Sequence, residues 1–514
     1  MAGSETQLTG PDFGAGIDDP RLDDNGKLLG HANGEAVLLA RVGNEYLAVA
    51  ATCTHYGGPL AEGVIEHGAV RCPWHHACFD LKSGEALRAP ALSPIACYEV
   101  DRSGGKIRVG EKIERDPLAP TYPMPSSRTG TQPSNVVILG GGAAGSAAAE
   151  MLRRCGFTGD VTMIDAEQSS PYDRPNLSKD YLAGNAPEEW IPLRPADFYA
   201  QHRITVRRGR ATKIDVGGKR VEMESDTPVS FDALLIATGA EPIHLQLPGE
   251  DQPHVHFLRS LDDSRSIIAA SKTAKRAVVI GGSFIGLETA ASLRARNVGV
   301  HVVAPESLPL ERVLGTELGT FIKSLHEERG VVFHLGRKPQ RIEKDAVILD
   351  DNTKLAADLV VLGVGVRPRT QLAEAAGLSM DKGVTVNEYL ETSAPGVFAA
   401  GDIARWPDTH SGANIRVEHW VVAQRMGQTC ARNILGARER FDQVPFFWSA
   451  HYDVTINYVG HAEKWDRTVV DGDASKRDVT VKYEQGGKVL AVATIFRDAE
   501  SLREELAMER RDRK

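Results

Sequence analysis

Short apolar runs broken by turn residues dominate the first hundred positions. AVLLARV and EYLAVA alternate apolar and polar residues on either side of Gly43-Asn44, the pattern of paired β-strands. An all-β unit is expected over 1–113. From Asn135 the pattern changes. NVVILGGGAAGSAAAEMLRR reads as an apolar strand, a glycine turn and a small-residue helix. RAVVIGGSFIGLETAASLRA repeats it about 140 residues later. Two copies of this unit predict two α/β nucleotide-binding domains, assigned to 135–255 with 379–442, and to 256–378. DVTVKY and VLAVATIF restore strand alternation near the end, which predicts a smaller α+β domain over 443–514.

Between the first two units lies ERDPLAPTYPMPSSRTGTQPS. Proline fixes φ and removes backbone donors, so 114–134 reads as an extended linker that would let the first domain move. The chain is 514 residues long, 42% hydrophobic and 25% charged, which is ordinary for a multidomain globular protein. A net charge of −9 argues against nucleic-acid binding. The basic stretch MERRDRK reads as a solvated helix end. No apolar run is long enough to span a bilayer and no secretion signal is visible, so a cytoplasmic location is expected. Six cysteines in a chain this long do not make a disulfide framework; they read as ligands or free thiols.

The glycine turns carry the first chemistry. Gly140, Gly142 and Gly145 have the Gly-x-Gly-x-x-Gly spacing, with Ala143 and Ala144 opening the helix. The first glycine permits the turn, the second lets backbone approach a pyrophosphate, and the third lets helix and strand pack closely. The helix N-terminus then faces the phosphates with free N–H groups. Asp165, which ends the next strand, is placed to bind ribose hydroxyls. The second turn has Gly281, Gly282 and Gly286, with Ser283 at the close-approach position and Ile285 beside the helix start. Its strand ends at Ala304, and Glu306 is the nearest acid. No arginine lies between Gly299 and Glu311 to hold a 2′-phosphate, so NADH is favoured over NADPH. ATGAEP, with Thr238 and Gly239, and GVGVRP, with Gly363 and Gly365, each follow an apolar strand and can lie against a cofactor. VFAAGDIA ends a strand at Gly401-Asp402.

From Asn135 onward the chain resembles the FAD-dependent pyridine-nucleotide reductases. It is most similar to the branch holding oxygenase-coupled ferredoxin reductases and apoptosis-inducing factor. PYDRPNLSKDYL, with Arg174 and with Asn176 where a second proline is usual, carries that resemblance. So do RVEHW, with Glu418, His419 and Trp420, and VPFFWSAHYD. The resemblance implies FAD on the first fold and the nicotinamide nucleotide on the second. It also implies that Asp402 binds the ribityl–phosphate region and that Lys179 pairs with Glu288 at the reactive edge of the flavin. A fixed cation there would stabilise the reduced ring. Dimerisation through the C-terminal domain is implied as well. Disulfide reductases share this architecture but need a cysteine pair beside the flavin. Here that region offers only Cys155, so electrons should leave by another route.

CTHYGGPL supplies Cys53 and His55, and RCPWHHAC supplies Cys72 and His75, with sixteen residues between His55 and Cys72. One Cys and one His per loop matches the Rieske pattern, in which the two thiolates hold one iron and the two imidazoles the other. A structural zinc would group its cysteines in one pair and its histidines in another. The stretch resembles Rieske ferredoxins. Gly58, Trp74 and Ala77 stand where respiratory Rieske proteins carry two extra cysteines and a serine, which implies a lower potential. His76 stands where glycine is common.

The expected fold is therefore multidomain: an all-β Rieske domain, two Rossmann-like α/β domains and a C-terminal α+β domain. The expected activity takes electrons from NADH through FAD to a [2Fe–2S] cluster and on to an external acceptor, such as an oxygenase component, a cytochrome or a quinone. An NADH oxidase or quinone reductase, and a redox-sensing interaction protein, are the alternatives. The loop RCPWHHAC is expected to bring His75 and His76 to the surface, where electrons would leave.

Overall fold

A computed structural model describes residues 8–18, 22, 26–116, 119–122 and 132–512. Most of the proline-rich segment and the last two residues of MERRDRK lie outside the described residues.

The N-terminal unit is all-β. Lys27–Ala32, Glu35–Val42 and Glu45–Ala50 form an antiparallel meander within a six-stranded sheet that Cys97–Ser103 and Lys106–Lys112 extend. A second, four-stranded sheet runs from Val64 to Arg88. Leu38, Val49, Leu60, Val70 and Phe79 are buried together in its core.

Two parallel five-stranded sheets follow. In the first, Asn135–Leu139 lies between Asp160–Asp165 and Ala233–Ile236, and Val397–Ala399 returns to the edge late in the chain. In the second, Arg276–Ile280 lies between Gly299–Ala304 and Leu359–Leu362. These inner strands are almost wholly apolar because both faces are covered. In the second sheet, helices pack on one face and the three strands Pro339–Glu343, Ala346–Leu349 and Lys354–Ala356 on the other. The glycine turns work by close approach. A β-carbon on Gly145 would lie 1.8 Å from the Gly140 carbonyl oxygen, and one on Gly286 would lie 2.3 Å from that of Gly281.

The C-terminal unit is a five-stranded antiparallel sheet, Phe446–His451 at one edge, closed by the helix Asp498–Asp512. That helix corrects the reading of MERRDRK in part. Met508 and Glu509 are buried, and Arg510 pairs with Glu66 at 2.7 Å. One face of the helix end packs on the β-domain through Met508 and Glu509, while Arg510 and Arg511 remain exposed to solvent.

The first domain, which the linker was expected to leave free to move, is docked on the reductase units in this structure. Helix Trp420–Ile434 and the C-terminal helix clamp it. Arg71 grips Glu509 with two hydrogen bonds of 2.8 and 3.1 Å. Arg88 lies 2.7 Å from Glu509, and Arg425 donates to Glu505 at 2.7 Å. Arg425 also reaches the carbonyls of Ala89 and His76, and Gln428 accepts from the Ala89 N–H. Arg154 pairs with Glu85, and Arg194 donates to Ser93. Arg425 is 1% exposed and Glu505 is fully buried. Charges this deep need their partners in place, so undocking would have to return Arg425 and Glu505 to water together.

Candidate redox sites

The two Cys/His loops are built alike. Cys53 N–H donates to the Gly58 carbonyl, and Cys72 N–H donates to that of Ala77. Each loop thereby curls around its own cysteine and turns its histidine inward. The His55 and His75 Nδ1 atoms face each other at 3.2 Å. Burial drives the His55 pKa down to about 3, and burial together with His55 holds His75 far below its usual value. Both rings are therefore neutral, as metal-binding imidazoles must be. Cys53 and Cys72 share a hydrogen bond, which pushes the Cys53 thiol up and draws Cys72 down.

The four side chains thus fall into a thiol pair and an imidazole pair. This donor set fits a two-iron cluster with two ligands per metal. Among the described residues, no three such groups converge as a single mononuclear site requires. A β-carbon at Gly58 would lie 2.6 Å from the Cys72 sulfur, so the loops cross at that point without room for a side chain.

His76 lies beside these four. Its φ of +60° is left-handed, which explains why glycine is common there. The ring is held instead of glycine by its surroundings. Phe446 stacks on it at 4.1 Å, and Nδ1 lies 2.8 Å from Glu505, close but out of hydrogen-bond alignment. His75 is 9% exposed and His76 fully buried, which overturns the expectation that this loop meets solvent. Cys78, Cys97 and Cys155 are buried free thiols.

The histidine edge instead faces the strand Phe446–His451. Side chains alternate across a strand. On one face, Phe446 covers His76 and Trp448 packs 4.2 Å from the His75 ring and 6.1 Å from His55. On the other face, Ser449 Oγ donates to Glu288 at 2.6 Å and Phe447 lies against Phe284 and His419. Tyr56 stacks on His55 and donates to Asp173.

Beyond this strand lies a cleft of about 1820 Å³. Gly140, Gly142, Ala143 and Ala144 line one end with Asp165, Thr238, Gly239, Gly401 and Asp402. Gly281, Gly282, Ile285, Glu306, Gly363 and Gly365 line the other. Arg174, Lys179, Glu288, Glu418, His419, Trp420 and Trp448 stand between them. Gly145 and Gly286 pack beneath, holding helix to strand. Lys179 Nζ donates to Glu288 at 2.9 Å, and Ser178 donates to the same oxygen. Asp402 is held by Arg259 at 2.7 Å, and Asp165 by Arg208 at 3.1 Å. Burial raises the Asp165 pKa. Asn176, at the unusual position, accepts from the Tyr181 N–H.

Sequence reasoning missed several of these residues. Glu167, bound to Arg174 at 3.0 Å, lines the cleft beside Asp165. Arg312 and Lys338 also line it, the first one residue past the arginine-free stretch from Gly299 to Glu311. Trp448 and Ser449 lay within a motif already noted, and strand alternation alone would have put them on opposite faces.

Two dinucleotide folds sharing one cleft, with a paired Cys/His centre docked at its edge, define a flavin and iron–sulfur oxidoreductase. The chain belongs to the pyridine nucleotide-disulphide oxidoreductase family, whose pattern matches residues 134–427. A Rieske [2Fe-2S] domain matches 20–99 and a reductase C-terminal domain matches 446–513. It uses FAD, NADH and a [2Fe–2S] cluster. The chain is 30% identical to apoptosis-inducing factor 3 of Mus musculus, over 90% of this chain and 78% of that protein. It is 34% identical to the anthranilate 1,2-dioxygenase system ferredoxin–NAD(+) reductase component of Burkholderia cepacia, over 70% of this chain and 90% of that one. Among solved structures, the covalent putidaredoxin reductase–putidaredoxin complex matches with a TM-score of 0.72 and 34% identity, covering 74% of this chain and 94% of that one. Among the described residues no helix is long and apolar enough to cross a membrane.

Proposed function

We propose that this protein moves electrons from NADH to a Rieske cluster within one chain, and from there to an external one-electron acceptor of the oxygenase-component type. The observation that carries this reading is the inward orientation of His55 and His75. They meet Trp448, and Trp448 also lines the nucleotide cleft. FAD held in this cleft would supply two-electron chemistry toward NADH and one-electron chemistry toward a cluster held by the Cys/His loops.

The residues divide the work. Gly140, Gly142 and the helix start at Ala143 would hold the FAD pyrophosphate, with Asp165 on the ribose and Asp402 on the ribityl–phosphate region. Gly281, Gly282 and Ile285 would do the same for NADH. Lys179, fixed by Glu288 and 6.0 Å from the Trp448 ring centre, puts a positive charge where electron density gathers. Cys53, His55, Cys72 and His75 would ligate the cluster. Seating it in the same chain replaces a bimolecular encounter by a fixed contact. The named relatives that serve oxygenase systems support such an acceptor here.

Anaerobic titration with NADH tests the reading. Bleaching of the flavin bands followed by a Rieske-type EPR signal is expected. A flavin that is reduced while no iron–sulfur signal appears would overturn it.

Two substitutions refine it. Trp448→Ala should slow appearance of the cluster signal on the order of tenfold, about 1.4 kcal/mol of barrier, with flavin reduction unchanged. Rapid-freeze EPR after mixing with NADH measures this. Glu306 lines the cleft where a 2′-phosphate would lie, and its carboxylate would repel one. Glu306→Ala should narrow the preference for NADH over NADPH by about tenfold in kcat/KM. An unchanged ratio would remove Glu306 from the nucleotide site.

A further inference from the structure

Glu288 stands on the helix Phe284–Ala295 and is 2% exposed, so its carboxylate depends on the protein for hydrogen bonds. Three donors reach it. Ser178 Oγ and Lys179 Nζ donate to Oε2 at 2.5 and 2.9 Å, and Ser449 Oγ donates to Oε1 at 2.6 Å. Ser449 is itself backed by a file of polar groups. Its Oγ lies 3.0 Å from His451 Nε2, and His451 Nδ1 lies 3.2 Å from His326 Nε2. His326 Nδ1 lies 3.3 Å from the Tyr452 hydroxyl. Ser449, His451 and His326 are buried, 1% exposed or less.

The chemistry of these groups sets the direction of every proton in the file. A carboxylate only accepts, so Ser449 donates to Glu288 and accepts from His451 Nε2–H. His451 Nδ1 then accepts from His326 Nε2–H, and His326 Nδ1 accepts from Tyr452. The assignment needs neutral rings. Burial, and after it Lys179, drive the His451 pKa down to about 3. Burial, and after it His451, hold His326 well below its usual value. All the donors therefore point at Glu288. A proton placed on Oε1 would meet the Ser449 proton across 2.6 Å. Ser449 could not turn its proton aside, because His451 presents an N–H to it. On Oε2 a new proton would meet those of Lys179 and Ser178 in the same way.

We propose that Ser449, His451, His326 and Tyr452 are a proton block, which keeps Glu288 a carboxylate in both redox states of the flavin and so keeps Lys179 in place through turnover. Flavin reduction brings negative charge to the side of the cleft that Lys179 faces, and a like charge nearby favours protonation of a buried carboxylate. With Glu288 closed to protons, flavin reduction takes up two electrons and one proton, the content of the hydride that NADH supplies. Among the described residues, Lys179, His451 and His326 are the titratable groups turned toward Glu288. Beneath its helix lie Ala277, Val279, Val300 and Val302, with His301 on the opposite face of its strand. Asp180 is exposed, Asp173 is turned to Tyr56, and His75 lies against Trp448.

This inference rests on the reading of Lys179 and Glu288 as the charged edge of the flavin site, and the experiment separates the two. The flavin midpoint potential of the holoenzyme is measured by dye-coupled anaerobic titration between about pH 6 and 8. One proton per two electrons moves that potential by ~30 mV for each tenfold change in proton concentration, and two protons move it by ~59 mV. The wild type and Ser449→Thr, which keeps the hydroxyl donor, should follow the shallow slope. Ser449→Ala opens Oε1, and its slope should steepen toward the second value as Glu288 takes up a proton with the electrons. A slope in Ser449→Ala equal to that of the wild type overturns the block. Lys179→Met tests the reading beneath it. Its potential should fall, and an unchanged potential removes the pair from the flavin edge whatever the slopes. Should Ser449→Ala lose flavin, 15N NMR of histidine-labelled wild-type holoenzyme decides. His326 and His451 should both be the Nε2–H tautomer, and an Nδ1–H tautomer in either one refutes the block.

Discussion

Cys72→Ala should abolish the Rieske EPR signal and lower NADH-driven reduction of an external one-electron acceptor by about 100-fold or more. Losing even a supporting residue around a metal centre costs about 10- to 100-fold, and a lost ligand should cost at least as much. Cys72 is drawn toward the thiolate by its partner Cys53, and the loop offers no substitute. Cys78 is buried with its thiol pushed up, on a strand paired back to Arg71. Flavin binding and reduction by NADH should persist, because the nucleotide cleft lies across the Phe446–His451 strand. A retained cluster signal in this variant would refute the ligand set.

The second large effect is expected at the seam. Arg425→Leu leaves Glu505 buried without its closest cation, and breaking a buried pair from one side costs about 3–5 kcal/mol. The expected outcome is a lower urea midpoint for loss of the cluster's visible absorbance, together with slower delivery of electrons from flavin to cluster. The double variant Arg425→Leu, Glu505→Met should recover much of the loss, since an apolar pair of similar size removes the stranded charge. If the single variant is as stable as the wild type, the seam does not hold the domain. The seam should also weaken in acid. Burial opposes the charge on Glu509, but Arg88 and Arg71 outweigh it and hold its pKa at about 2. A carboxylate with a depressed folded-state pKa stabilises fully above its unfolded value near 4, and that stability is lost as pH falls toward 2. Cluster absorbance followed between pH 5 and 2 measures this.

Local spacing made much of the molecule legible. The strand, glycine turn and helix repeat within about 20 residues, and close approach at Gly145 and Gly286 is a property of that short stretch. The Cys-x-His and Cys-x-x-His loops are equally local, since each curls on its own backbone. Where local reading failed, one cause recurs. MERRDRK looked solvated on every side because its charges are visible in sequence and the partners of its buried face, Glu66 and Arg71, are not. The RCPWHHAC loop looked exposed because nothing near it announces Phe446, Trp448 and Glu505. The proline-rich segment looked like a tether because composition describes the connection and says nothing of the surfaces it joins.

Sequence alone determined the units and their chemistry: an all-β domain with two Cys/His loops, two dinucleotide folds and a closing α+β domain. Period, glycine geometry and ligand spacing are short-range constraints, and a single chain displays them. The tertiary structure alone decided the direction in which the histidine edge faces, the clamp that Arg425 and Glu505 make on it, and the contact of Ser449 with Glu288. Those contacts join residues 80 to more than 300 positions apart. Strand alternation assigns Trp448 and Ser449 to opposite faces, but only the docking of three domains on one strand decides what each face meets.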